Sequence, residues 1–213
     1  MIEYLDSFIG YTANLPWLEL IAMLLALAYV IWASVGSIWC WPAAFISTAI
    51  YTYIFYDVSL LMDSALSVYY LVMAVYGYWV WQKDKTDNKQ HEPISIVTWH
   101  ASFHLKACTI LAIISLILGF IMANYTSADF PYLDTLTTVF AIFATYLVTQ
   151  KVLENWLYWL VIDAVSIYLY IEKDLIPTVV LFCIYIVIAT WGYFKWRSML
   201  MKNQVNMKQT VNG

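Results

Sequence analysis

Charge is what this chain has least of. Asp, Glu, Lys and Arg make up 11% of its 213 residues, against about a quarter in a soluble domain. So few ionised groups cannot cover a water-facing surface, and lipid must be the solvent for most of the chain. The net charge of −4 is small and implies no nucleic-acid partner. Cysteine is scarce too. Cys40, Cys108 and Cys183 stand far apart inside apolar runs and form no CxxC pair, which argues against a disulfide framework or a zinc site. P-loop, GxSxG, HExxH and kinase-like motifs are all missing, so the reading assigns no catalytic residue, no metal and no cofactor. Residues 1–16 hold Glu3 and Asp6 and lack a basic n-region. They read as an N-terminal extracytoplasmic segment, with no cleavable signal peptide visible.

What the chain does have is apolar length, with 63% hydrophobic residues and a mean hydropathy of +0.72. A helix crosses the hydrocarbon with about 20 mostly apolar residues. Such runs lie near Trp17–Val35, Trp39–Tyr56, Leu60–Trp81, Lys106–Ala123, Asp134–Val148, Trp156–Ile171 and Leu175–Trp196. The expected fold is therefore an all-α membrane protein of seven transmembrane helices. The longest polar stretch, Gln82–His104, includes Lys83, Asp84, Lys85, Asp87, Lys89 and Glu92, and its backbone needs water. Seven crossings put the two ends on opposite sides. With the N-terminus outside, Lys83, Lys85, Lys89, Lys106, Lys151, Lys195, Arg197, Lys202 and Lys208 fall inside and only Lys173 outside. The positive-inside rule then gives N-out, C-in. Trp17, Trp39, Trp41, Trp79, Trp81, Trp156 and Trp196 stand near predicted helix ends, where most are expected to be interfacial anchors.

A shift of 115 residues aligns Ser37–Trp81 with Val152–Trp196 without a gap. It superimposes Trp41 on Trp156, Tyr53 on Tyr168, Tyr70 on Tyr185, Gly77 on Gly192 and Trp81 on Trp196. Three crossings are an odd number, so a second triplet fused directly would enter the membrane inverted. One extra helix restores its sense. The expected plan is two parallel three-helix repeats joined by one connector helix (3+1+3), an architecture found among secondary transporters. Its parts are a first bundle at 17–82, a cytoplasmic loop at 83–105, the connector at 106–124, a second bundle at 132–196 and a cytoplasmic tail at 197–213.

Polar groups within membrane segments are costly and usually face the bundle interior. In the sixth helix Trp156, Trp159 and Asp163 share one face, with Asn155 at its entrance. Asp163 has no Lys or Arg near it in sequence, so it needs either a polar or cationic substrate or a hydroxyl on a neighbouring helix. The third helix offers Ser67, Tyr70 and Tyr76, with Asp63 near its outer end. The seventh offers Tyr185 and Trp191, and the second Thr48 and Tyr51. Related aromatic pairs could clamp a flat ring, or they could simply pack. His100 and His104 have the spacing of two ligands on a helix but lack a third, and are expected at the inner interface.

The stretch from Pro131-Tyr-Leu-Asp134 through Lys151, Glu154-Asn155-Trp156, Trp159, Asp163, Ser166 and Tyr170 resembles the bacterial PnuC family of nicotinamide riboside transporters, as do Trp41-Pro42 and Tyr76-Gly77-Tyr78-Trp79-Val80-Trp81. The resemblance runs from Trp17 to Trp196. It implies a SWEET-like fold in the bacterial cytoplasmic membrane. It also implies facilitated uptake of an unphosphorylated B-vitamin precursor, nicotinamide riboside first, and trapping by a cytoplasmic kinase. Thiamin or riboflavin is the alternative cargo. Ser67 stands where the resemblance leads one to expect a glutamine able to read a carboxamide, and this favours thiamin as the second choice. Assembly into a homo-oligomer is left open. A membrane sensor or enzyme is the reading of a different class; it would need a signalling domain or a clustered set of acid–base residues.

Overall fold

The computed structural model describes residues 17–57, 61–87, 95–126, 129–173 and 175–212. The segment 1–16, loop residues Lys89 and Glu92, and the side chain of Asp63 lie outside that description. Seven helices make up nearly all of it. They are α1 (Trp17–Ser34), α2 (Cys40–Asp57), α3 (Leu61–Asp87), α4 (Ala101–Tyr125), α5 (Pro131–Thr149), α6 (Asn155–Glu172) and α7 (Ile176–Asn212). Pro42, Pro131 and Pro177 each fall in the first turn of a helix, where no backbone N–H has an intrahelical partner to lose.

Four segments, Trp17–Ser34, Ala101–Tyr125, Pro131–Thr149 and Thr178–Val205, are long and apolar enough to cross a membrane. The chain is a multi-pass membrane protein. Helices α2 and α6 carry Ser47, Thr48, Tyr51, Asn155, Asp163 and Ser166, and these lower their hydropathy. Helix α4 has the opposite character. Only Ser115 and Gly119 are buried on it, while Leu105, Ile110, Leu116, Ile117 and Phe120 are exposed. The two small residues let α5 come close: Thr135 Oγ1 donates to the Ser115 carbonyl at 3.1 Å, and Tyr132 lies over Gly119.

Several helices outrun the expected bounds. Helix α3 continues past Trp81 to Asp87, α7 continues past Trp196 to Asn212, and α4 already begins at Ala101. The segment read as a loop, 83–105, is therefore helical at both ends. Apolar content marks where lipid stops, whereas the i to i−4 ladder continues in water.

Helix α1 packs on α2 and α2 on α3; likewise α5 packs on α6 and α6 on α7. The two sets meet where α1 packs on α7 and α3 on α5, and α4 packs on α5. The turns after α1 and α5 are built alike. The Gly36 N–H donates to Ala33 and that of Ser37 to Trp32; Lys151 donates to Val148 and Val152 to Leu147, all at 2.9–3.0 Å. This is the Schellman pattern, whose key residue is left-handed. Gly36 has φ 72°, and Lys151 takes the same place at φ 57°, a conformation costing a non-glycine residue about 1 kcal/mol. The Lys151 ammonium is held by Asp84 at 2.8 Å. The Lys151 carbonyl accepts from the Val97 N–H at 3.1 Å, and Val97 in turn accepts from Leu153 at 2.8 Å.

The seven tryptophans expected as anchors divide into two groups. Trp17, Trp39 and Trp79 are 71%, 66% and 60% exposed. Trp41, Trp81, Trp156 and Trp196 are at most 2% exposed and belong to one core. The correction has a clear cause. Trp39 and Trp41, like Trp79 and Trp81, are two residues apart and so face opposite sides of a helix. Gly77 and Gly192 make the inner positions possible, since the rings of Trp41 and Trp156 lie flat against their backbones. A Cβ on Gly192 would stand 2.8 Å from the Trp156 ring. We expect Gly192→Ala to lower stability by roughly 1–3 kcal/mol through overpacking, measured as a drop in the melting temperature of the detergent-solubilised protein. An unchanged melting temperature would mean that Trp156 can move aside.

His104 also departs from a purely interfacial role. Its Nδ1 lies 3.0 Å from the Tyr158 hydroxyl, and its Nε2 lies 3.7 Å from the Glu154 carboxylate. Together these tie α4 to the start of α6. His100 is exposed and caps α4 by accepting from the Ser102 N–H.

Candidate functional site

A cavity of about 230 Å³ lies within the bundle. Ala26, Ala44 and Ala74, from α1, α2 and α3, leave the space. Tyr29, Trp41, Tyr70 and Trp159 wall it, and Ser47, Thr48 and Thr145 add hydroxyls. None of the described residues lining it carries a charge.

The hydroxyls differ in what remains of their bonding capacity. Ser47 Oγ donates to the Ala22 carbonyl at 2.7 Å, and Thr145 Oγ1 to Ala141 at 2.8 Å. Both serve the backbone, the usual fate of such groups in a bilayer. The side-chain hydroxyls of Tyr29, Thr48 and Tyr70 and the indole N–H of Trp159 make no hydrogen bond to any described residue. They are the groups a solute can use. Apolar walls with a few convergent polar groups are the ordinary make-up of a small-molecule site.

Of the residues singled out in sequence, Thr48, Tyr70 and Trp159 are brought together at the cavity. Asp163 is one turn beyond Trp159 on the same face of α6. It is 3% exposed and has neither an ion pair nor a hydrogen bond to a described residue. Tyr185 lies within electrostatic range of both Asp163 and Tyr51. Ser67, one turn before Tyr70 on α3, is buried.

The others sit elsewhere. Trp156 faces Gly192 and stands edge-on to Trp196 at 5.5 Å, so its ring is committed to packing. Asn155 is fully buried and donates to the Val152 carbonyl at 2.7 Å, fastening the turn into α6. Tyr76 is exposed and accepts from Gln150 at 3.0 Å. Trp191 is exposed as well. Trp41 and Tyr29 are cavity residues the sequence reading missed. The 115-residue shift that equates Trp41 with Trp156 put both on the same footing, and nothing in the shift says which ring faces a cavity.

An interior cavity with uncommitted polar groups, inside a bundle clothed in apolar side chains, is what a membrane transporter of a small solute needs. The chain belongs to the nicotinamide mononucleotide transporter family, whose model matches residues 16–198; it is a transporter and not an enzyme. It is 22% identical to the nicotinamide riboside transporter PnuC of Escherichia coli, over 88% of this chain and 87% of that protein. It is 23% identical to the riboflavin/roseoflavin transporter RibM of Streptomyces davaonensis, over 90% and 89% respectively. Its fold is similar to that in the crystal structure of the vitamin B3 transporter PnuC, with a TM-score of 0.71 at 19% identity, covering 94% of this chain and 90% of that one.

Proposed function

We propose that this protein carries a cationic, unphosphorylated B-vitamin precursor, nicotinamide riboside in the first place, into the cytoplasm by alternating access. The observation that carries this reading is the uncharged aromatic cavity with an acid, Asp163, buried one turn from its Trp159 wall and without a cationic partner among the described residues. A pyridinium ring against Trp159, Trp41 or Tyr70 gains about 2 kcal/mol when desolvated. It also brings the positive charge that a buried carboxylate otherwise lacks. The free hydroxyls of Tyr29, Thr48 and Tyr70 suit a ribose.

The described residues of the lining include no Lys or Arg, so a phosphate would enter without a charge partner among them. The unphosphorylated nucleoside fits better than the mononucleotide, and a cytoplasmic kinase would trap it. Ser67 favours thiamin as the second cargo, because a short hydroxyl cannot pair with a carboxamide as glutamine can. Thiamin is also a planar cation.

The mechanism rests on seven crossings arranged as two parallel triplets, α1–α3 and α5–α7, with α4 as connector. Matching turns, glycine–indole contacts and helix neighbours 115 residues apart support this plan. Under that shift Ala44, Thr48 and Tyr70 correspond to Trp159, Asp163 and Tyr185, so Asp163 holds in the second triplet the position that Thr48, a cavity residue, holds in the first. The distribution of nine of the ten Lys and Arg residues supports an N-out, C-in orientation.

Uptake of labelled nicotinamide riboside, nicotinamide mononucleotide, thiamin and riboflavin into proteoliposomes tests the reading. Nicotinamide riboside should enter fastest and the mononucleotide should be excluded. Preferred entry of the mononucleotide or of riboflavin would overturn it.

A further inference from the structure

We infer that Trp81 and Trp196 are the paired closure of the cavity's inner end, holding the two halves of the chain together until solute is released. This rests on the transport reading above. The indole N–H of Trp81, on α3, donates to the Val148 and Thr149 carbonyls at the end of α5, at 3.3 and 3.2 Å. The indole N–H of Trp196, on α7, donates to the Ala33 carbonyl at the end of α1, at 3.0 Å. Ala33 and Val148 are 115 residues apart, as are Trp81 and Trp196. The two bonds are thus equivalent, and each joins one half of the chain to the other.

All three acceptors sit in the last turn of a helix, where carbonyls lack the i+4 donor; those of Ala33 and Val148 also accept from the Gly36 and Lys151 N–H groups, so the indoles use a second lone pair. The rings form a continuous layer. Trp41, a wall of the cavity, meets Trp81 edge-on at 5.3 Å and 89°. Trp81 lies 6.2 Å from Trp196, and Trp196 meets Trp156 at 5.5 Å and 88°. Rocking of one half against the other breaks both bonds at once, because neither bond lies within a single half. That is the behaviour of a two-state interface. The buried indole N–H groups of Trp41 and Trp156 find no partner in this arrangement, so the layer does not satisfy all of its own polar atoms.

Cys40 supplies a reporter, being fully buried beside Trp41 in the same core. The test uses the full chain in detergent with Cys108 and Cys183 replaced by serine, and N-ethylmaleimide as the probe. Losing a net hydrogen bond shifts an equilibrium by roughly fivefold. Trp81→Phe or Trp196→Phe should therefore speed Cys40 alkylation about fivefold, and the double variant on the order of 25-fold. The control is A22C with Cys40 also replaced, because Ala22 is fully buried toward the other end of α1; its thiol should label no faster in the double variant. Unchanged Cys40 labelling, or equal acceleration at position 22, overturns the closure. If the double variant does not fold, the single variants decide by the same two readouts. Calorimetry with nicotinamide riboside on the parent protein separates the two readings. If it does not bind while Cys40 labelling still rises, the cargo is wrong and the closure stands.

Discussion

Asp163→Asn should weaken binding of nicotinamide riboside or thiamin by about 10- to 100-fold, which corresponds to the roughly 1.5–3 kcal/mol of an interaction with a charged group. The same substitution should leave riboflavin, a neutral flat ring, within about twofold. The contrast matters more than either value. Asn keeps the shape of the side chain and removes only its charge, and none of the described residues lining the cavity is a carboxylate that could take its place. Asp163 also has no cationic partner among the described residues to be left stranded, so the substitution should not lower the stability of the empty protein. Calorimetry with the three vitamins on parent and variant gives the answer. Equal losses for cationic and neutral ligands would mean that Asp163 shapes the cavity rather than balancing a charge. No loss for any would remove it from the site.

How much of this was legible in sequence depends on which force left the signal. The seven helices were, because apolar runs alternate with short polar joints, although only four of the described segments are long and apolar enough to cross a membrane by composition alone. Their ends were not. Helix α7 continues to Asn212 through a polar stretch whose composition says only that lipid has stopped. The 115-residue register was legible from Trp, Gly and Trp at fixed spacing. The likeness of the turns after α1 and α5 was hidden, because Gly36 and Lys151 share a left-handed backbone that a lysine does not advertise. The Asp84–Lys151 pair was hidden too, since it joins residues far apart in the chain, one on α3 and one in the turn after α5.

The candidate site was half legible for a similar reason. Thr48, Tyr70 and Trp159 could be named because polar or aromatic groups in mid-helix need an interior. Trp41 and Trp156 could not be told apart by that logic. Both begin a helix, both have a glycine partner, and both are buried. What separates them is their neighbours: Ala44 leaves space one turn from Trp41, where the matching place one turn from Trp156 is filled by Trp159. Cavities arise from such differences between otherwise equivalent positions, and a single chain shows them only once its helices are packed.

Trp41→Ala should be among the most damaging single changes in the bundle, costing roughly 3–5 kcal/mol of stability. Trp41 packs edge-on to Trp81 at 5.3 Å, lies 6.1 Å from Tyr29 and covers Gly77. Its removal therefore opens the cavity into the tryptophan layer beneath. In lipid the loss is one of van der Waals contact, since the bilayer offers apolar side chains no hydrophobic penalty for separating. Trp156→Ala removes a ring of the same size with the same glycine beneath it, and should destabilise by a similar amount. The two variants part company at the solute, because Trp41 lines the cavity and Trp156 does not. Where each variant still folds, Trp41→Ala should abolish measurable binding of nicotinamide riboside, and Trp156→Ala should retain it within a few-fold. Thermal unfolding with and without the vitamin measures both quantities in one experiment. Equal loss of ligand stabilisation in the two variants would show that the solute contacts both halves alike.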